Sequence, residues 1–293
     1  MRLDYDIVDV FAQTPFAGNQ LAVVHDAGGL TADRCLAIAR EFGYSETTFP
    51  EPLAADRYST RIFTPDGEIP FAGHPTLGTA WVLRRRGLLS ADRVVQHCGA
   101  GEIGVAFTAD VVRLSAPPRD LAGPLSDDLV AELLGDLGLT PADRAGEAWV
   151  AGCGLSWVHL PVVEAAIVGA RSSRRRLEEY GAALFAGCAD PMDGVNLFAL
   201  DAGPPVAVHA RVFVPGLGIP EDPATGSAAV GLGMALAVSG VLPEGGEYVI
   251  DQGLEIGRPS RLFGRVEATG GRPTRCHVAG RVHGIATGRI EVP

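Results

Sequence analysis

The chain has 293 residues, 47% of them hydrophobic and 20% charged, with a net charge of −11. That length holds two ordinary domains or one large one, and that composition supports packed cores rather than disorder. The acidic excess is spread along the chain, which disfavours nucleic acid or an anionic membrane as the main partner.

The N-terminus goes straight into an alternating run, Tyr5 to Val10, with no charged-then-apolar leader, so a secretory signal is not expected. No apolar run approaches the ~20 residues that span a bilayer. Five scattered cysteines, none in a paired spacing with another or with histidine, point to a reducing cytoplasm and no metal site. Further alternating runs at Leu21–Val24, Val111–Leu114, Trp157–Val162, Arg211–Val214 and Arg281–Ile285 are separated by turn residues and predict sheet strands. The basic cluster Arg171 to Arg176, followed at once by Glu178 and Glu179, reads as a solvated helix end.

Two stretches resemble one another. Arg61-Ile-Phe-Thr-Pro65, Ile69-Pro70 and Gly73-His-Pro-Thr-Leu-Gly-Thr-Ala80 are echoed by Arg211-Val-Phe-Val-Pro215, Ile219-Pro220 and Asp222-Pro-Ala-Thr-Gly-Ser-Ala228. The offset is 150 positions up to Ile-Pro and 148 where His-Pro is set against Asp-Pro. Each copy reads strand, turn, then a small-residue helix start. The second helix, to Val238, is apolar on every face and belongs inside a protein. The expected fold class is α+β, with two pseudo-symmetric domains, each a strongly curved mixed sheet around a central buried helix. The domains are 1–117 and 118–293, divided near Pro117-Pro118, with the last strand, 280–293, a candidate to return to the first domain.

Corresponding elements of pseudo-symmetric copies tend to meet at a shared interface. Here these are two helix N-termini, at Gly73-His74 and Gly226-Ser227, whose backbone N–H groups and dipole suit a carboxylate. Glycine at both lets a ligand approach closely. Thr225 and Ser227 are equally fit to cap their own helix, and Asp222 is a candidate N-cap. Glu46, among the small hydroxyl residues of Ser45-Glu-Thr-Thr48, is a general base if it faces a cleft and a capping or solvated carboxylate if it does not. His74 is either a site residue or a helix-start histidine bonded to backbone.

Four blocks give these residues a common meaning. They are Val8-Asp-Val-Phe11 with Pro15-Phe-Ala-Gly-Asn19, Ser45-Glu-Thr-Thr48, Phe71-Ala-Gly-His-Pro-Thr-Leu-Gly78, and residues 215–227, PGLGIPEDPATGS. A weaker fifth joins Gln252-Gly to Gly257-Arg-Pro-Ser260. Together they resemble the PhzF-type phenazine-biosynthesis isomerase family, of diaminopimelate epimerase-like fold, over essentially the whole chain. One departure is Gln20, where the family usually has Pro. The resemblance implies that Glu46 carries the proton and that His74 and Asp222 hold or polarise the substrate. It further implies that Asn19, Gly73, Thr225, Gly226 and Ser227 bind it. It implies a cofactor-independent isomerase moving a proton and a double bond on a small carboxylate-bearing metabolite, with cyclic amino acid-like molecules among the candidates. It also implies a homodimer, beside the cytoplasmic setting and the lack of a nucleic acid or membrane partner read above from the cysteines and the charge. The related two-thiol racemases carry cysteines at the helix starts, and this chain carries Gly-His and Gly-Ser there. No phosphate loop, dinucleotide fingerprint or metal cluster is present in the sequence, in keeping with a reaction without cofactor or metal. Two other readings stand beside it: related acid/base C–C cleavage or epimerisation, and a small-molecule or protein-binding member without catalysis.

Overall fold

The computed structural model describes the whole chain except residues 174, 183, 190–191 and 216–219. Ile219 of the repeat, part of the 215–227 block and Arg174 of the basic cluster therefore lie outside the described residues. The chain divides into two compact units, Met1–Ser115 with Ala279–Pro293, and Ala116–Val278.

In chain order the first stretch contains β1 (Arg2–Val10), β2 (Asn19–Val24), α1 (Ala32–Phe42), β3 (Glu46–Ala54) and β4 (Arg57–Phe63). It continues with β5 (Glu68–Ile69), α2 (Gly73–Arg85), β6 (Arg93–Cys98), β7 (Gly101–Thr108) and β8 (Val111–Ala116). The second stretch begins with β9 (Asp120–Ala122), α3 (Asp127–Asp136), β10 (Trp149–Gly152), β11 (Ser156–Pro161) and α4 (Glu164–Ile167). There follow β12 (Met192–Asp201), β13 (Val206–Phe213), β14 (Glu221–Asp222) and α5 (Gly226–Val238). Last come β15 (Gly246–Gln252), β16 (Ser260–Thr269), β17 (Arg272–Gly280) and β18 (Val282–Glu291). All six alternating runs fall on strands. β18 pairs antiparallel with β1, which is how the C-terminal segment belongs to the first unit.

The two units repeat one ladder. In the first, β1–β2 is antiparallel, β2–β3 parallel, β3–β4 antiparallel, β4–β6 parallel and β6–β7 antiparallel. In the second, β10–β11, β11–β12, β12–β13, β13–β15 and β15–β16 follow the same alternation. A parallel pair needs a crossover, and α1, α2 and α5 supply three of the four. Both units are thus mixed-sheet α+β. α2 packs on β1, β2, β3 and β18, and α5 on β10, β11 and β16. Every residue of α5 from Gly226 to Ala237 is buried, as an all-apolar helix requires.

The Arg-x-Phe motif has a physical basis in both copies. Arg61 lies over the Phe63 ring at 5.0 Å and grips Glu68 with two bonds of 2.8 and 2.7 Å. Arg211 lies over Phe213 at 4.9 Å and grips Glu221 with bonds of 2.9 and 2.7 Å. Each arginine ties the two-residue return strand to its partner, in a planar two-bond fork that lysine cannot make.

The ladder corrects the alignment beyond that motif. Phe63 pairs with Glu68 and Ile62 with Ile69, whereas Phe213 pairs with Glu221 and Val212 with Asp222. Ile69 therefore corresponds to Asp222 and His74 to Ser227, an offset of 153, because the second turn is three residues longer. The basic cluster is also corrected. It does not end a helix but leads into a short 3₁₀ turn, Leu177–Tyr180, and the Arg175 guanidinium packs 4.0 Å from the Tyr180 ring centroid.

Candidate functional site

In the first unit three element starts converge. β2 begins at Asn19 and β3 at Glu46, side by side in parallel register, with Leu21 opposite Glu46. α2 begins at Gly73. The loop before Asn19 is drawn in by Asp9, whose carboxylate accepts the Phe16 N–H at 2.7 Å. Gly18, at φ +69°, closes it, and a Cβ there would lie 2.3 Å from Val10 O, so only glycine fits.

The Glu46 side chain is 15% exposed. Burial raises its carboxyl from the ordinary value of 4.5 to about 7, against a smaller lowering by the Ser45 hydroxyl. Its Oε2 is buried without a hydrogen bond, 3.4 Å from His74 Nε2. The Asn19 amide nitrogen lies 3.3 Å from His74 Nδ1, while Ser45 Oγ donates to Asn19 Oδ1 at 3.1 Å. An amide nitrogen only donates, so Nδ1 accepts and the ring proton sits on Nε2, towards Glu46. The Nδ1 of His74 therefore lies against the Asn19 amide and its Nε2 against the Glu46 carboxyl.

The N-cap of α2 is Ala72, which has no side chain to cap with. The first helical bond is the long one from Thr76 N to Ala72 O, 3.4 Å, and Pro75 has no N–H. Gly73 and His74 therefore hold the two N–H groups ahead of the ladder. Below them Thr76, Gln96 and Tyr58, all fully buried, anchor the first turn. Gln96 donates to Thr76 Oγ1 at 2.9 Å and Tyr58 to Gln96 Oε1 at 2.8 Å.

The second unit gathers Asp222, Thr225, Gly226 and Ser227. The N-cap of α5 is Thr225, not Asp222, and its side chain makes no capping bond. Its hydroxyl donates instead to Asp222 Oδ2 at 2.5 Å. Gln252, 2% exposed, clamps this turn: Nε2 donates to Asp222 O at 2.8 Å and to Thr225 Oγ1 at 3.0 Å, and Oε1 accepts the Thr225 N–H at 3.2 Å. Thr225 is thereby engaged in shaping the turn that carries Asp222. Ser227 does not cap either, and its Oγ accepts the indole N–H of Trp157 at 3.1 Å.

Sequence reasoning missed three of these partners. Ser45 and Gln252 were visible only as members of blocks. Trp157 was hidden in a strand pattern, where any aromatic reads as core. Among the described residues no cluster of His, Cys, Asp and Glu is placed to hold a metal ion, and no helix is long and apolar enough to cross a membrane.

A family model described as PhzC-PhzF, phenazine biosynthesis-like protein, matches residues 8–288. The trans-2,3-dihydro-3-hydroxyanthranilate isomerase of Pseudomonas aeruginosa is 35% identical over 288 residues, covering 97% of this chain and 98% of that protein. A solved PhzF-family phenazine biosynthesis protein of Bacillus anthracis superposes with a TM-score of 0.84 at 23% identity, all of both chains being covered. A hydroxyproline epimerase of Agrobacterium vitis does so with a TM-score of 0.63 at 14% identity, over 99% of this chain and 92% of that one. These two structural likenesses speak to the fold.

Proposed function

The chain belongs to the PhzC-PhzF family of phenazine biosynthesis-like proteins and is an isomerase of that type, and on that premise we propose that Glu46 alone carries its proton. The reaction is a cofactor-independent shift of a double bond in a small, cyclic, amino acid-like carboxylate. The observation that carries this reading is the buried Glu46 carboxyl, raised to about 7 and facing the Nε2–H of His74. A group that titrates near neutrality is present in both forms, so it can take a proton and give one back.

Glu46 removes a proton from a carbon next to the substrate double bond. The electron pair left behind forms the new double bond, the old one opens, and Glu46 returns the proton at the far carbon. Atoms and charge balance with no external oxidant. The His74 Nε2–H stabilises negative charge as it develops. The start of α2, with the Gly73 N–H, suits a carboxylate, and so by itself does the start of α5, with the Gly226 N–H and the Ser227 hydroxyl. Asp222, steadied by Thr225 and Gln252, suits a substrate donor such as an amine.

A single base is also favoured sterically. The second unit has Gly194 at the ladder position of Glu46, and a Cβ there would lie 2.1 Å from Phe213 O. No acid can be placed there.

The test is turnover of trans-2,3-dihydro-3-hydroxyanthranilate in deuterated water, followed by mass spectrometry and NMR. The expected product is an isomer of the substrate with at most one deuterium, at the carbon that receives the proton. Fragment products, or recovered substrate inverted at one centre, would instead establish C–C cleavage or epimerisation.

A further inference from the structure

The repeated ladder shows what the second unit carries in place of the base. Phe63 pairs with Thr47, which follows Glu46, and Phe213 pairs with Val195, which follows Gly194. On the neighbouring strand Leu21 pairs with Glu46 and Trp157 with Gly194. A Cβ on Gly194 would lie 2.9 Å from Trp157 Cζ3, so the indole occupies the room that a side chain at 194 would need. Glu46 faces His74, the second residue of α2, at 3.4 Å, and Trp157 Nε1 faces Ser227, the second residue of α5, at 3.1 Å. The contact from sheet to helix start is kept in both units. In the second it has passed from an ionisable group to a neutral donor.

That exchange fixes the polarity of Ser227. An indole N–H can only donate, so Ser227 Oγ accepts from it, and the hydroxyl proton is left to donate elsewhere. The first bond of α5 runs from Ala229 N to Thr225 O, so the N–H groups of Gly226, Ser227 and Ala228 precede the helical ladder. The hydroxyl proton thus joins a set of donors at a positive helix end, a match for an acceptor-only group such as a carboxylate. The indole cannot turn away. Trp157 is 3% exposed and packed with Val212, Val214 and Ala228.

We propose that Trp157 is a positioning residue that holds the Ser227 hydroxyl as a donor to the substrate carboxylate. This rests on the reading that the start of α5 binds substrate. Trp157→Phe keeps an aromatic ring in the packing and removes the donor. With trans-2,3-dihydro-3-hydroxyanthranilate as substrate, KM is expected to rise about three- to ten-fold, the worth of one hydrogen bond, with kcat within about two-fold. Ser227→Ala should do the same, and the double variant should be no worse than Ser227→Ala. Additive losses, or an unchanged KM in Trp157→Phe, would overturn the proposal.

A second measurement does not depend on turnover. The Trp157 indole N–H resonance, assigned by its loss in Trp157→Phe, should shift in Ser227→Ala and on adding anthranilate to the wild type. If it stays in place in either experiment, the proposal is wrong. If anthranilate moves it while the isomerase substrate is not turned over, the proposal stands and the proposed reaction falls.

Discussion

Glu46 is held in a state that costs the fold stability. Its folded pKa of about 7 lies above the ordinary 4.5, so between those values the folded protein keeps a proton that the unfolded chain has released. Stability therefore falls as pH rises from about 4.5 to about 7, and it stays reduced above that. A shift of this size corresponds to on the order of 3 kcal/mol. Glu46→Gln keeps the shape and removes the charge. It is expected to melt above the wild type at pH 8 and to match it near pH 4, which calorimetry at the two pH values would show. Equal melting at both would mean that the carboxyl is not desolvated. None of this was legible in Ser45-Glu-Thr-Thr48 itself, because burial is a property of the surrounding packing. The segment alone allowed a solvated carboxylate, and only the family resemblance singled it out.

At the scale of elements, the buried helices depend on close approach. A Cβ on Gly231 of α5 would lie 2.6 Å from both Ala151 O and His159 Nε2. His159 has no room to yield: it is fully buried, its Nδ1 bonds Asn196 at 3.0 Å, and burial lowers its pKa to about 3. Gly231→Ala is thus expected to destabilise by about 1–3 kcal/mol despite the better helix propensity of alanine. Chemical denaturation would measure it, and a neutral or stabilising outcome would show that α5 can shift within its sheet. The all-apolar run of α5 and the alternating strands were plain in the sequence, since periodicity reports burial directly. The return strands β5 and β14 were not, because two residues carry no period. That is why Ile69 was set against Ile219, when the hydrogen-bond register sets it against Asp222.

Taken whole, the molecule repeats one ladder of alternating antiparallel and parallel pairs in two units, while its chemistry has diverged. The first unit holds an ionisable pair, Glu46 and His74, with Asn19 setting the ring proton. The second holds neutral donors and one carboxylate, with Trp157 and Gln252 setting their orientation. The repeat was legible because Arg-x-Phe is a working unit in both copies. The divergence was not, because it lies in which residues oppose one another across strands distant in sequence. The proposed reaction turns on Glu46 as the single acid/base. It is tested most directly by kcat/KM of Glu46→Gln on trans-2,3-dihydro-3-hydroxyanthranilate, with folding verified by circular dichroism and melting. A loss of about 10²–10⁴-fold or more is predicted, and a folded variant that keeps wild-type turnover would contradict it.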